Sequence, residues 1–320
     1  MILVTGGAGF IGLNFIQGLL QYTDETQIVN LDKLTYASNK AYLPTSDRHL
    51  FVYGDINNSK LVDILVSKRP TALVHFAAES HVDNSIAGPA KFITTNINGT
   101  YTLLESVRKH SPETLFFHIS TDEVFGSLSE EEPGFTETSQ YKPNSPYSSS
   151  KAASDHLVRA WHETYELKTI ITNCSNNYGL YQYPEKLIPL TITRALNEKS
   201  IPVYGDGRQI RDWIHVEDHC SAIRFLIKNG TPGQSYNIGS RNELPNIEIV
   251  HKLCQILDEE KPRHNGRSYV ELIEFVEDRP GHDRRYAIDS SKINNLGWYP
   301  KKDFNSELRN LVRSIINARP

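Results

Sequence analysis

The stretch Ile2-Leu3-Val4-Thr5-Gly6-Gly7-Ala8-Gly9-Phe10-Ile11-Gly12 decides the fold. An apolar run of strand length enters a glycine turn, and an amphipathic segment from Leu13 to Leu20 follows as a helix. Glycine suits such a turn because the bend is tight, the backbone must approach a pyrophosphate, and the helix must pack on the sheet with its N-terminal N–H groups facing the anion. A glycine triplet alone also describes an ordinary surface turn. Here Asp32 answers it at the end of the next candidate strand, about 20 residues on, as a dinucleotide-binding fingerprint requires. A carboxylate there accepts hydrogen bonds from a free ribose 2′-hydroxyl and repels a 2′-phosphate. Asp32 therefore favours NAD over NADP, with Lys33 beside it blurring the preference.

Outward from that turn, short apolar runs alternate with segments of helical period. Candidate strands are Ile2–Thr5, Gln27–Leu31, Leu50–Tyr53, Ala72–Phe76, Leu115–Ile119 and Thr169–Asn173, and helices start near Phe10, Ser59, Ala90 and Tyr147. The alternation predicts an α/β fold: a Rossmann-type doubly wound parallel sheet with a smaller α/β C-terminal substrate-binding lobe. After about Cys174, prolines such as Pro184, Pro189, Pro202, Pro245 and Pro280 punctuate shorter elements. Residues 1–173 are read as the NAD-binding domain carrying the catalytic residues, and 174–320 as the substrate lobe, with some segments interleaving.

Length and composition narrow the classes. A chain of 320 residues buries a full core without metals or disulfides, and a net charge of −4 offers no basic surface for nucleic acid. The three cysteines, Cys174, Cys220 and Cys254, are too far apart for a C-x-x-C pair, so no metal is expected and a reducing cytoplasm fits. The opening apolar run is too short for a signal peptide or a membrane span. The sequence has no H-E-x-x-H and no G-x-S-x-G, and the twelve histidines are scattered.

The chemistry is carried by Ser120-Thr121-Asp122-Glu123 and, downstream, Tyr147 and Lys151. A Tyr-x-x-x-Lys pair is frequent by chance, and Tyr36 with Lys40 fits it equally well; position decides between them. Tyr36 lies at the adenosine side, just after Asp32, whereas Tyr147 opens a helix after Asn144-Ser145-Pro146. Four residues apart on a helix, Tyr147 and Lys151 share one face. The lysine then reaches the nicotinamide ribose and its charge lowers the phenol pKa, giving a base for a sugar hydroxyl as hydride leaves the carbon. Thr121 supplies a second hydrogen bond to that hydroxyl. Acidic neighbours at a strand end usually form a solvated loop. In an open α/β sheet, however, ligands bind beyond the carboxyl ends of the strands, which is where Asp122 and Glu123 fall. An acid and a base side by side can take opposite jobs if their environments separate their pKa values.

With these residues in place, the chain resembles the dTDP-glucose 4,6-dehydratases of the extended short-chain dehydrogenase family, whose G-x-x-G-x-x-G spacing it shares. Further blocks carry the resemblance: Asp32 to Ala37, Ala77 to Asp83, Asn173 to Gly179, Pro184 to Pro189, Ile210 to Trp213 and Asp278 to Asp283. The resemblance implies a redox-neutral elimination. Tyr147 deprotonates the C4 hydroxyl while NAD takes the C4 hydride, Glu123 removes the C5 proton, Asp122 protonates the departing C6 hydroxyl, and the hydride returns to C6. It implies cofactor contacts from Gly6, Gly9, Phe10, Ile11, Gly12, Asp32, Lys33, Leu34, Thr35, Asp55, Ile56, Phe76, Ala77, Ala78, Ser80, Thr95, Tyr147, Lys151 and Asn177. For Asp55, a helix cap before Ser59 is an equal alternative. Substrate contacts are implied for Ser80, Thr121, Asn176, Lys186, Leu187, Pro202, Val203, Tyr204, Arg211, Asn246, Arg279 and His282. Lys186, Arg211 and Arg279 are cations of the kind a diphosphate needs, and Tyr204 either stacks on the base or joins the core. A cytoplasmic homodimer in deoxysugar and polysaccharide biosynthesis is implied too, joined through a four-helix bundle of segments 90–110 and 147–165. Leu157, Val158 and Trp161 belong either to that face or to the core.

Three positions depart from the family's usual pattern: Phe125 for tyrosine, Asn84 for arginine and Leu180 for proline. They leave open a UDP-sugar such as UDP-glucose or UDP-N-acetylglucosamine as substrate. The rival activities are a nucleotide-sugar epimerase or decarboxylase, which needs no acid–base pair at C5 and C6, and a non-catalytic dinucleotide-binding regulator, against which the retained Tyr147 and Lys151 count.

Overall fold

The computed structural model describes residues 1–23 and 25–318. Six parallel strands follow the expected order: β1 (Ile2–Thr5), β2 (Ile28–Asp32), β3 (His49–Tyr53), β4 (Ala72–His75), β5 (Leu115–Thr121) and β6 (Thr169–Cys174). After them come β7 (Asn176–Tyr178), β8 (Ile201–Tyr204), β9 (Ile210–His215), β10 (Gln234–Ile238), β11 (Glu243–Pro245) and β12 (Ile273–Val276). The large sheet runs β10-β6-β5-β4-β1-β2-β3, so the strand order reverses between β1 and β4. That reversal opens the crevice in which doubly wound sheets bind their ligands. Strand β10 comes from beyond residue 174, so the large sheet draws on both sides of the 1–173 and 174–320 division. The smaller lobe holds a three-stranded sheet, β11-β9-β7, and the pair β12-β8.

Both faces of the large sheet are covered, which is why β1, β2, β4 and β6 read as unbroken buried runs. On one face Ile2 and Val4 meet Phe15, Ile16 and Leu19 of α1 (Phe10–Tyr22), together with Ile223 and Leu226. On the other, Leu3 and Leu73 meet Val62 and Leu65 of α2 (Ser59–Val66), with Leu103, Val107 and Val158. The smaller lobe has its own core, in which Ile188, Val203, Leu253 and Leu308 pack together.

The single helix expected to start near Ala90 is interrupted. After the short α3 (Val82–Ala87), residues Ala90–Phe92 form α4, Ile93–Asn98 form a π-helical turn, and Gly99–His110 form α5. Asn96 explains the widening: its Oδ1 accepts from Glu79 N at 2.9 Å, and its Nδ2 donates to Ser150 Oγ at 2.8 Å. Ser150 belongs to α6 (Pro146–Tyr165), which begins with Pro146 and a capping box between Ser145 and Ser148. Among the described residues no helix is long and apolar enough to cross a membrane, and no His, Cys, Asp and Glu cluster could hold a metal.

Candidate active site

The main cleft lies at the carboxyl ends of β1, β4, β5 and β6, and the glycine turn forms its floor. Gly6 has φ +73°, and a β-carbon there would lie 2.5 Å from Ala77 N; one on Gly12 would lie 2.4 Å from Gly6 O. Side chains are thus excluded where β1, β4 and the helix approach one another. The N-cap Gly9 offers no side-chain acceptor to the first-turn amides of α1, which suits an anion there. Asp32 accepts from Ala8 N at 2.9 Å, Leu34 N at 2.7 Å and Ser38 Oγ at 3.4 Å, bracing the turn with capacity left for another donor. A glycine cradle, an uncapped helix start and a carboxylate at the end of β2 fit the pyrophosphate and ribose of NAD.

Of the implied cofactor residues, all but Leu34 and Asp55 line the cleft. Leu34, at φ +53°, is held through its amide by Asp32. Asp55 accepts from Asn57 N at 2.9 Å and lies 3.5 Å from Lys33 Nζ, while Asn58 is the cap of α2. The π turn brings Thr95 into the cleft, 3.3 Å from Lys33 Nζ.

Thr121, Asp122, Glu123, Tyr147 and Lys151 line the same cleft. Thr121 ends β5 and caps the short turn Asp122–Phe125, its Oγ1 accepting from Glu123 N at 3.3 Å. Asp122 is 2% exposed, and burial together with the charges of Glu123 and Asp212 pushes its carboxyl well above the usual range. Burial also raises Glu123, but Arg279, Lys186 and Arg211 oppose that rise. Both carboxyls are thus raised, Asp122 the further: two carboxylates add to its burial with Arg211 opposing, whereas three cations hold the rise of Glu123 back against burial and Asp283.

Tyr147 and Lys151 are both buried on α6. Lys151 Nζ donates to Ile119 O at 2.8 Å and lies 3.3 Å from His118 Nε2. Burial brings the ammonium down to about 8. The expected lowering of the Tyr147 phenol by Lys151 is not seen: burial, then the charge of Glu123, pushes it well up. The other Tyr-x-x-x-Lys pair does not act together. Tyr36 donates to Glu185 Oε1 at 3.1 Å and accepts from Asn84 Nδ2 at 3.1 Å, whereas Lys40 lies over the Phe51 ring.

The implied substrate residues divide. Ser80, Thr121, Asn176 and Lys186 line the cleft, with Lys186 Nζ donating to Ser80 O at 3.1 Å. Arg211 is buried over the Tyr286 ring at 4.1 Å, and its donors reach the carbonyls of Ile210 and Asp283, not carboxylates. Arg279 and Tyr204 both reach Asp83, at 3.3 and 3.1 Å, and the Tyr204 ring faces His282 edge-on, so Tyr204 is outside the core. Leu187 opens α7 (Leu187–Leu196), half-buried against the core of the smaller lobe, and does not line the cleft. Pro202 and Val203 lie in β8, with Val203 turned into the core, so only its backbone is available. Asn246 sits where β11 meets the next helix, its amide donating to Gln209 O.

Other residues of the cleft are not singled out by the sequence. Gln182, Tyr183 and Glu185 line it, joined to the N-terminal region by the Tyr36–Glu185 bond and an edge-on Tyr36–Tyr183 contact. His219, driven down to about 3 by burial, is neutral and lies 2.9 Å from Asn177 Oδ1, fixing that amide through its Nδ1–H. Paired tyrosines in 36–42 and 181–183 are the visible signal for the first; nothing local marks the second. Phe125 is buried against Phe135 and Tyr141 and does not line the cleft. Leu180 contributes its carbonyl to Asn14 Nδ2.

The family model described as GDP-mannose 4,6 dehydratase matches residues 3–311. A dTDP-glucose 4,6-dehydratase of Xanthomonas campestris pv. campestris (strain B100) is 54% identical over 94% of this chain and 89% of its own length. Among solved structures, the dTDP-glucose 4,6-dehydratase DesIV from Streptomyces venezuelae, crystallised with NAD bound, superposes with a TM-score of 0.93. It is 43% identical and covers 99% of this chain and 97% of its own. A Thermus thermophilus UDP-glucose 4-epimerase complex with NAD reaches a TM-score of 0.89 at 26% identity, covering 99% of both chains. The shared fold therefore does not choose between elimination and epimerisation.

Proposed function

The chain belongs to the nucleotide-sugar 4,6-dehydratase family, and from that premise we propose how its cleft converts dTDP-glucose to dTDP-4-keto-6-deoxyglucose and water. It is an NAD-dependent hydro-lyase. The observation that carries the division of labour is the opposed surroundings of Asp122 and Glu123. An acid raised well above its usual range beside a base whose rise three cations restrain is what elimination across C5 and C6 requires.

Tyr147 takes the C4 hydroxyl proton, with Thr121 holding the same oxygen and Lys151 anchoring the nicotinamide ribose. NAD, when bound, supplies the hydride acceptor for C4, the donor for C6 and a positive ring that favours the phenolate. Oxidation at C4 acidifies the C5 proton, which Glu123 removes, and Asp122 delivers its proton to the departing C6 hydroxyl. Arg211, which spends no donor on a carboxylate, and Lys186 and Arg279 receive the diphosphate. Asp83 occupies Arg279 and Tyr204 until the diphosphate and the base replace it. Of the departures from the family pattern, Phe125 ends the turn that carries Asp122 and Glu123 but faces its aromatic cluster and not the cleft, Asn84 donates to Tyr36, and Leu180 gives its carbonyl to Asn14.

A panel of dTDP-, UDP-, CDP- and GDP-glucose plus UDP-N-acetylglucosamine, read as 4-keto product by NMR, tests the substrate. dTDP-glucose is expected to turn over fastest; faster turnover of a UDP-sugar would reassign the base pocket, and binding without any turnover would favour a regulator.

A homodimer accounts for the outer faces of α4, α5 and α6. Tyr101 of α5 and Tyr165 of α6 are exposed there, as is Ile93 of the intervening π turn, and Trp161 meets both tyrosine rings edge-on. A sedimentation mass near twice 36.3 kDa supports the dimer, and a monomeric mass overturns it. Three free, buried cysteines suit a cytoplasmic enzyme of deoxysugar and polysaccharide biosynthesis.

A further inference from the structure

Below the redox pair lies a buried polar nest that the mechanism above does not use. Asp155 follows Lys151 by one turn of α6 and is 2% exposed. Its Oδ2 collects three donors from three parts of the chain: Ser120 Oγ at 2.8 Å, Tyr141 OH at 3.0 Å and Asn173 Nδ2 at 3.4 Å. Its Oδ1 faces His118 Nε2 at 3.2 Å. Lys151 Nζ lies 3.3 Å from that same nitrogen. The imidazole nitrogen thus stands between the ammonium and the carboxylate, and Ser154 Oγ approaches it at 3.1 Å.

We infer that Asp155 is a positioning residue for the reaction, the buried counter-charge that acts across His118 to hold Lys151 as an ammonium beside Tyr147.

The surrounding groups leave no other candidate. From β5, Lys151 meets His118 and the Ile119 carbonyl; from β4, it feels His75, whose ring lies 5.3 Å from that of His118. From β6 it feels the Cys174 thiol, and from its own helix it shares a face with Tyr147. Burial keeps all four side chains neutral: it lowers His75 and takes His118 down to about 4, and it raises Cys174 and Tyr147. Asp155 is the remaining carboxylate, and it is the foremost influence opposing the burial that drives the Lys151 ammonium down. An ammonium buried without such a partner gives up its proton. Three donors on one oxygen keep Asp155 from turning away, so the charge is fixed in direction as well as in place.

The inference rests on reading Lys151 as the redox lysine, so two readouts are needed. In the NAD-loaded enzyme, Lys151 must hold its proton to act. The C4-oxidation rate is therefore expected to be lost as pH rises through the titration of Lys151, which burial brings down to about 8. Asp155→Asn keeps the shape and removes the charge. It is expected to move the alkaline limb of the C4-oxidation rate down by about one unit or more, leaving a deficit of about tenfold above the limb that shrinks toward pH 6. Tyr141→Phe removes one donor but no charge and is expected to keep the wild-type limb. An unmoved limb in a folded Asp155→Asn, or the same shift in both variants, overturns the inference. The second readout needs neither turnover nor a variant that folds. In the wild-type protein, the Asp155 carboxyl carbon followed by NMR is expected to show an inflection at the pH where the Lys151 ε-carbon titrates, and its absence also overturns the inference. Failure of the wild type to form 4-keto product refutes the reading of Lys151 and leaves this titration intact.

Discussion

Glu123→Gln is expected to oxidise C4 in a single turnover and then stall, with product formation falling by about 10²- to 10⁴-fold, the usual worth of a positioned general base. Glutamine fills the same space beside Thr121 and leaves the cations Arg279, Lys186 and Arg211 in place, so nucleotide-sugar binding survives. What is lost is an acceptor for the C5 proton. The cofactor should accumulate in its reduced form on the enzyme, visible by its absorbance, with the sugar held as the 4-ketose. In heavy water the wild-type product carries deuterium at C5, and the variant's trace product forms too slowly to accumulate. Elimination by Glu123→Gln at the wild-type rate would show that the base is another residue.

Tyr147→Phe is expected to fail one step earlier, losing about 10²- to 10⁴-fold in C4 oxidation, with no reduced cofactor formed in a single turnover. The ring stays packed edge-on against Phe92, and the Lys151 anchors to Ile119 and His118 are untouched. NAD affinity and thermal stability should therefore match the wild type, which separates a lost base from a damaged pocket. Because burial and Glu123 raise the Tyr147 phenol, the wild-type rate of this step should also climb with pH until Lys151 begins to lose its proton. Wild-type oxidation rates in Tyr147→Phe would move the redox role to another group.

Much of this architecture is legible in sequence because it is local. Strands covered on both faces read as unbroken apolar runs, and the glycine turn, Asp32 and the acidic pair at the end of β5 fall at positions the sheet topology fixes. Strand β10 is not legible: its residues read Gln-Ser-Tyr-Asn-Ile, without the unbroken apolar run of the inner strands, and it lies at the sheet's edge. It pairs with β6, and Glu137 Oε1 and Phe135 O accept from the buried Asn237, so a loop covers its edge. The broken helix 90–110 escapes for a similar reason, since the partners of Asn96 lie at Glu79 and Ser150. Within the site, Asp155 looks like any helical carboxylate until Ser120, Tyr141 and Asn173 converge on it. The effect of Lys151 on Tyr147 does not follow from their spacing, because the balance between burial and charge depends on where the ammonium is tied, and it is tied back to β5.

The central claim is that one hydride leaves C4 and returns to C6 of the same sugar while Asp122 and Glu123 carry out the elimination between. dTDP-glucose deuterated at C4, incubated with the enzyme and NAD and read by NMR, tests it most directly. The label is expected at C6 of dTDP-4-keto-6-deoxyglucose; deuterium returned to C4, or washed into water, would contradict the account.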